Sequence, residues 1–318
     1  MRLLATGGAG FIGSNFIDYI LDKYPDYEII NLDALTYAGS LENLEKAIEN
    51  PRHRFIQGRI EDGKLVDELM EGVGVVINFA AESHVDRSIV EPQLFVKTNV
   101  LGTQVLLDAA LRHKVKLFCQ VSTDEVYGAL ELGSTERFIE ESRLHPNSPY
   151  AASKAAADLL VRAYNRTYGL PIVVSRCSNN YGPRQHPEKF IPTVILNALH
   201  DKPIPIYGDG LYVRDWIHVL DHCRAIDTIV NGGKIGEVYN ISGDNELANI
   251  DLARKILQIM GKPEDLLQSV QDRPGHDRRY ALGSDKLERE LGWNRAVCFD
   301  EGLGETIRFY AEKAGHLE

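Results

Sequence analysis

Two short stretches carry the side chains best suited to chemistry. Ser122 to Gly128 reads STDEVYG and follows KLFCQV, an apolar run with the character of a buried strand; Ser148 to Ala157 reads SPYAASKAAA. The first brings a hydroxyl, Thr123, and two adjacent carboxylates, Asp124 and Glu125, to a strand end where an ordinary capped turn would suffice. Two neighbouring carboxyls raise each other's affinity for a proton, so one can donate while the other accepts, and either order is compatible with the residues. In the second stretch Tyr150 and Lys154 stand at i and i+4 and share one helix face. A tyrosine used as a base near pH 7 needs its pKa lowered by roughly 3 units, or about 4 kcal/mol of preference for phenolate. A neighbouring ammonium acts in that direction. Tyr19 and Lys23 have the same spacing far from any other chemical signal, so only context gives the Tyr150 pair meaning.

The elements that must position these groups follow from the alternation of β-rich runs with helical patterns: RLLAT then FIGSNFIDYILDKY, YEIINL then SLENLEKAIEN, HRFIQG then KLVDELMEG, VVINFA then LFVKTNVLGTQVLLDAALRH. This order predicts an α/β fold of the Rossmann type, a doubly wound parallel sheet with right-handed crossovers. The tyrosine helix is punctuated by Ser148 as cap, Pro149 at the first helical position and Gly169 as terminator. Successive strand residues point to opposite faces, so Asp124 and Glu125 can serve one site only if the strand ends near Ser122 or Thr123. TGGAGFIGS, Thr6 to Ser14, opens the first helix and satisfies GxGxxG through Gly8, Gly10 and Gly13, and GxxGxxG through Gly7, Gly10 and Gly13. Such a turn lets a pyrophosphate approach backbone N–H groups at a helix N-terminus. Asp33, about 20 residues further on, stands where a carboxylate accepts from the adenosine ribose and repels an added phosphate, which predicts NAD rather than NADP.

The 318 residues exceed the comfortable size of one hydrophobic core, and the pattern loosens after IVVSR. The division expected is a cofactor domain at 1–177, with 213–235 returning to it, and a smaller mixed α/β substrate lobe at 178–212 and 236–318. A formal charge of -11 disfavours a nucleic-acid partner and leaves anion sites to local basic islands. Four scattered cysteines without a CxxC pair predict neither zinc nor disulfides and fit a reducing cytoplasm. No apolar run approaches the ~18 residues of a membrane span, and glycines interrupt the N-terminus too early for a signal peptide. His218 and His222 face one way at i and i+4, but no third ligand is spaced nearby, so no metal is expected.

Taken together, TGGAGFIG, Tyr150-x-x-x-Lys154 and the hydroxyl residue ahead of them resemble the extended short-chain dehydrogenase/reductases. The stretches LTYAGSLENL, AAESHVDRSI, STDEVYG, SPYAASKA, RCSNNYGPRQHPEKFIP, YGDG, VRDWIHV and RPGHDRRYA are similar, in order and over nearly the whole chain, to those of the dTDP-glucose 4,6-dehydratases among them. In most relatives without dehydratase activity, such as UDP-galactose 4-epimerases, small or neutral residues stand in place of Asp124 and Glu125. The resemblance implies loss of water from dTDP-glucose to give dTDP-4-keto-6-deoxyglucose, with catalysis by Thr123, Asp124, Glu125, Tyr150 and Lys154. Rival readings are a 4-epimerase or a dehydratase of a UDP sugar, and, from another class, a non-catalytic NAD sensor, which would have no use for those five residues together.

The resemblance also places residues around the ligands. Beside the glycines, NAD would be met by Phe11 and Ile12; after Asp33, by Ala34, Leu35, Thr36, Tyr37 and Gly39. Further cofactor positions are Arg59, Ile60, Ala80, Ala81, Ser83, Thr98 and Asn180, with Tyr150 and Lys154. The nucleotide sugar would be met by Ser83, Asn179, Lys189, Phe190, Pro205, Ile206 and Tyr207, then by Arg214, Asn249, Arg273 and His276, and by the three residues Thr123 to Glu125. A homodimer is implied, through two helices per subunit, and Ala151, Ala152, Ala155, Ala156 and Ala157 would permit close helix packing. One departure stands out: Gly58-Arg59-Ile60 puts an arginine where the family usually has an aspartate that accepts from adenine; either the arginine stacks on adenine instead, or Glu61 and Asp62 are left to compensate.

Overall fold

The computed structural model describes residues 1–315; the last three positions of the expected substrate lobe lie outside them. Seven strands form one parallel sheet: β1 (Arg2–Thr6), β2 (Glu28–Asp33), β3 (His53–Gln57), β4 (Val75–Asn78), β5 (Leu117–Thr123), β6 (Ile172–Cys177) and, after three short strands, β10 (Val238–Ile241). The order across the sheet is β10-β6-β5-β4-β1-β2-β3, and every pair is parallel. The strand order reverses between β1 and β4, which opens a crevice at their carboxyl ends. Both faces are covered, one by a core around Phe16, Ile20 and Tyr239 and the other by a core around Leu106, Phe118 and Val174, so the strands read as continuous apolar runs.

The remaining strands are β7 (Asn179–Tyr181), β8 (Ile204–Tyr207), β9 (Val213–His218), β11 (Glu246–Ala248) and β12 (Leu267–Val270). They make a three-stranded sheet, β11-β9-β7, and a two-stranded one, β12-β8, over a separate core containing Ile195, Trp216, Leu252 and Leu303. The expected boundaries therefore need correction. The helix Val219–Gly232 returns to the main core, as expected of 213–235, but β9 belongs to the small sheet, and Val238–Ile241, expected in the smaller lobe, pairs in register with Val174–Cys177 of the main sheet. Leu287 and Trp293 also join the main core.

The helix carrying Tyr150 runs from Pro149 to Tyr168; the Ser148 side chain accepts from Ala151 N–H, and Gly169 closes it at φ 72. Of its alanines, Ala151, Ala155 and Ala157 are buried within the subunit, whereas Ala152, Ala156 and Ala163 reach the surface, as does exposed Leu159. The helical segment Pro92–Arg112 is long and apolar enough, by length and composition, to cross a membrane; here it lies against the tyrosine helix and the helix Gly63–Leu69. Its turns widen to a π-helix over Val96–Gly102. That widening directs Thr98 to the cofactor cleft and lets Asn99 bond the Glu82 backbone on both sides and the Ser153 hydroxyl.

Candidate active site

β5 ends at Thr123, and Asp124–Tyr127 turns at once into a 3-10 helix. The turn removes the strand alternation, so Thr123, Asp124 and Glu125 all line one cleft with Tyr150 and Lys154. Thr123 Oγ1 donates to Asp124 Oδ1 at 3.1 Å and accepts from Glu125 N–H at 3.3 Å. Burial drives the Asp124 carboxyl well above the usual carboxylate range, and the Glu125 charge adds to it. Burial also raises Glu125, but Arg273, Arg214 and Lys189 oppose it. The pair is thus asymmetric: the proton is favoured on Asp124, and Glu125 faces three cations.

Tyr150 is buried, and desolvation followed by the Glu125 charge pushes its phenol well above 10, with the Thr123 hydroxyl pulling the other way. Lys154 is equally buried; its ammonium donates to Val121 O at 2.7 Å. Desolvation lowers its pKa, while Asp158 and Cys177 raise it. Two of its three N–H donors stay available to a ligand.

The cleft continues to the glycine turn. Gly7 has φ 71, and a Cβ there would sit 2.7 Å from the Ala80 backbone; one on Gly13 would lie 2.4 Å from Gly7 O. The helix that follows, Phe11–Lys23, has no side-chain cap, which leaves its first N–H groups to an anion. Asp33 is buried at the end of β2 and accepts from Ala9 N–H at 2.9 Å and Leu35 N–H at 2.7 Å. These features fit a dinucleotide. Phe11, Ile12, Ala34, Thr36, Tyr37 and Gly39 line this part, and Arg59, Ile60, Ala80, Ala81, Ser83, Thr98 and Asn180 complete it. Leu35 does not line it: at φ 48 its side chain packs into the main core and only its N–H serves, through Asp33. Exposed Arg59 stands at the rim. Of the acids proposed to compensate for it, Glu61 lines the cleft and holds Thr98 Oγ1, whereas Asp62 is spent as the cap of the helix Gly63–Leu69.

Among the residues expected at the sugar nucleotide, Ser83, Asn179 and Lys189 line the cleft with the catalytic group. The others lie on the adjoining lobe. Arg214 is buried, donates to Val213 O and Asp277 O, and stacks over Tyr280. Arg273 pairs with Asp86 across the lobes at 3.4 Å; His276 pairs with Asp272 and stacks on Tyr212. Pro205 and Tyr207 are exposed on β8, but Ile206 points into the lobe's core and its side chain is not available to a ligand. Phe190 stacks on Trp216. Asp124 Oδ2, Ser122 Oγ, Asn179 Oδ1, Asn249 Oδ1 and Arg273 Nε are buried with no hydrogen-bond partner. Each costs about 1–3 kcal/mol unless a ligand satisfies it.

Sequence reasoning missed Glu82, Ser122, Cys177, Ser178, Gln185 and His186 in the cleft. Ser122 and Cys177 adjoin residues that it did pick out and could have been found from the strand ends alone. Tyr19 and Lys23 instead bond Asp227, away from the cleft. His222 Nδ1 meets Asn180 Oδ1 at 2.8 Å, and burial pushes its pKa down to about 3. Among the described residues no group of three or more His, Cys, Asp or Glu could hold a metal ion.

Comparison with known proteins bears on the same residues. A family profile described as GDP-mannose 4,6 dehydratase matches residues 4–306. The chain is 51% identical over 310 residues to the low-salt glycan biosynthesis protein Agl12 of Haloferax volcanii, covering 98% of both. It is 51% identical over 323 residues to a dTDP-glucose 4,6-dehydratase of Streptomyces antibioticus, covering 100% of this chain and 95% of that one. The crystal structure of DesIV, a dTDP-glucose 4,6-dehydratase from Streptomyces venezuelae with NAD and TYD bound, superposes with a TM-score of 0.96 at 50% identity, covering 100% and 99% of the two chains. With that profile and those full-length likenesses, the chain belongs to the nucleotide-sugar 4,6-dehydratase family of the extended short-chain dehydrogenase/reductases.

Proposed function

We propose that this chain is an NAD-dependent dTDP-glucose 4,6-dehydratase, a lyase that converts dTDP-glucose to dTDP-4-keto-6-deoxyglucose. The observation that carries the reading is the pair Asp124 and Glu125, set by the turn after β5 into one cleft with Tyr150 and Lys154 and given unequal surroundings. Hydride transfer has use for the tyrosine, the lysine and a hydroxyl. Water loss has use for an acid and a base as well.

A bound NAD would supply a hydride acceptor for sugar carbon 4 and, in reduced form, the hydride for carbon 6, with carbon 5 regaining its proton from the Glu125 carboxyl. The glycine turn and the uncapped helix would hold its pyrophosphate, and Asp33 its adenosine ribose. Asp33 already accepts from two amides and would repel a further phosphate, which supports NAD over NADP. Tyr150 takes the proton of the sugar 4-hydroxyl, with Thr123 bonded to the same oxygen and the Lys154 ammonium stabilising the phenolate. Once carbon 4 is a ketone, the hydrogen on carbon 5 is acidic. Glu125 removes that proton as the carbon 6–oxygen bond breaks, and Asp124 gives its proton to the departing hydroxyl, which leaves as water. The asymmetry of the pair thereby favours one division of labour, Asp124 as acid and Glu125 as base.

Arg214, Arg273 and Lys189 supply convergent cations for the diphosphate, and the buried unpartnered Asn179 and Asn249 oxygens await donors. In the free enzyme Asp86 stands as the counter-charge of Arg273. We also propose a homodimer, formed on the face where Val96 and Leu101 are exposed on one helix and Leu159 on the tyrosine helix. Cytoplasmic residence is supported by four free cysteines, three of them buried.

Incubation with dTDP-glucose and UDP-glucose in parallel tests the reading. The expected result is a 4-keto product lighter than dTDP-glucose by one water, formed at least ten times faster than from UDP-glucose. A product of unchanged mass would mean epimerisation and would refute it.

A further inference from the structure

The oxidising pair and the eliminating pair sit on different elements, a helix and a turn, and must meet one sugar in fixed relation. A buried chain of polar groups joins the two. Asp158 lies one helical turn beyond Lys154, on the same face. Its Oδ2 accepts from Arg176 Nε on β6 at 2.9 Å. Arg176 Nη1 donates to the Tyr127 hydroxyl at 2.9 Å, and that hydroxyl donates to Asn240 Oδ1 on β10 at 2.8 Å. Tyr127 is the last residue of the turn that begins with Asp124 and Glu125. All four side chains are nearly inaccessible, with exposures of 3%, 6%, 2% and 0% for Asp158, Arg176, Tyr127 and Asn240. An ion pair so buried is seldom a source of stability, since matched apolar residues often do as well. Its position supplies another use.

We propose that Asp158 is the positioning residue of this active site, holding the Lys154 helix to the Asp124–Glu125 turn through Arg176 and Tyr127 and serving as counter-charge to Lys154. The inference rests on the dehydratase reading. The Asp158 Oδ1 atom is buried without a hydrogen-bond partner, so that oxygen is free to act on the ammonium by charge alone. Tyr150, Asp124 and Glu125 share the cleft with Lys154, but the charges that raise its pKa are those of Asp158 on its own helix and Cys177 on β6, and the Cys177 thiol, pushed up to about 12 by burial, is neutral. Asp158 is thus the carboxylate that opposes the desolvation of Lys154. Arg176 fixes the distance between helix and turn, because its guanidinium is planar and is held at both ends.

Three variants test this by pre-steady-state and steady-state assay with dTDP-glucose, the parent enzyme run beside them. If the parent itself fails to dehydrate dTDP-glucose, the functional reading falls; the inference falls only on the variants. Asp158→Asn should lower turnover about tenfold and move the alkaline limb of the pH–rate profile down by about one unit, because Lys154 then loses its proton earlier. Asp158→Glu should restore most of both. Should Asp158→Asn fold poorly, Asp158→Asn with Arg176→Met removes both charges at once; the same downward shift is expected. A parental profile in that double variant would show that Asp158 only neutralises Arg176 and would overturn the inference. Tyr127→Phe keeps every charge and cuts the tether, so oxidation should proceed while water loss slows and bound NADH rises severalfold. Parental turnover and parental NADH in Tyr127→Phe would overturn the tether.

Discussion

An enzyme with Asp124→Asn and Glu125→Gln oxidises dTDP-glucose and then stops. Bound NADH builds up towards one per subunit, read by its near-ultraviolet absorbance, and the product lighter by one water falls by at least about 10³-fold, since each proton-transfer group contributes roughly 10²–10⁴. The reason is the division built into the site: Tyr150, Lys154 and Thr123 remain intact, while no acid and no base are left for the elimination. Full turnover by this variant would remove the two carboxyls from the mechanism. The same substitution has a second expected effect, on stability. Burial holds the Asp124 carboxyl well above the ~3.9 of a free aspartate. Between those two values the folded protein carries a proton that the unfolded chain has lost, so stability falls as pH rises through that window. Glu125 shifts in the same direction. Amides escape this penalty. The variant therefore melts above the parent at pH 7, and the difference shrinks as pH is lowered towards 4; equal melting temperatures throughout would contradict the burial argument.

Tyr150→Phe gives the opposite pattern. Oxidation at carbon 4 falls by about 10²–10⁴, NADH does not accumulate, and elimination is not reached although Asp124 and Glu125 are untouched. In the free site the phenol is held neutral by burial and by the neighbouring Glu125, while the Lys154 ammonium is engaged with Val121 O. The phenol must therefore lose its proton before the reaction, so that the phenolate can take the sugar 4-hydroxyl proton. It follows that the oxidation step of the parent quickens with rising pH until Lys154 begins to lose its own proton. Single-turnover traces across pH distinguish the cases: a flat profile, or NADH formation by Tyr150→Phe at the parental rate, would mean that another base takes the 4-hydroxyl proton.

Much of this was legible in the sequence because the decisive signals are local. Alternating strand and helix patterns, the Ser148–Pro149 start and Gly169 stop, and the glycine turn depend on neighbours a few residues away, and all reappear in the fold. The end of β5 at Thr123 was a geometric requirement of two adjacent carboxyls serving one sugar, and the strand does end there. What stayed hidden is non-local. Nothing in VYNI tells whether a short apolar strand rejoins the main sheet or stays with the small lobe; its register against Val174–Cys177 decides. Ile206 read as a site residue because its neighbours did, but period-two alternation on β8 turns it into the core while Pro205 and Tyr207 face outward. Asp62 could not be told from Glu61 until one was seen capping a helix. Tyr19 and Lys23, with the same spacing as the catalytic pair, were separable by context, and Asp227 from a distant helix claims both.

The central claim is that oxidation, water loss and reduction occur on one sugar around one retained cofactor. dTDP-glucose carrying deuterium at carbon 4 tests it most directly, with the product examined by mass and by nuclear magnetic resonance. The account predicts a product lighter by one water whose deuterium now sits on carbon 6, with no free NADH released. Deuterium lost to solvent, or found in NADH that has left the enzyme, would contradict it.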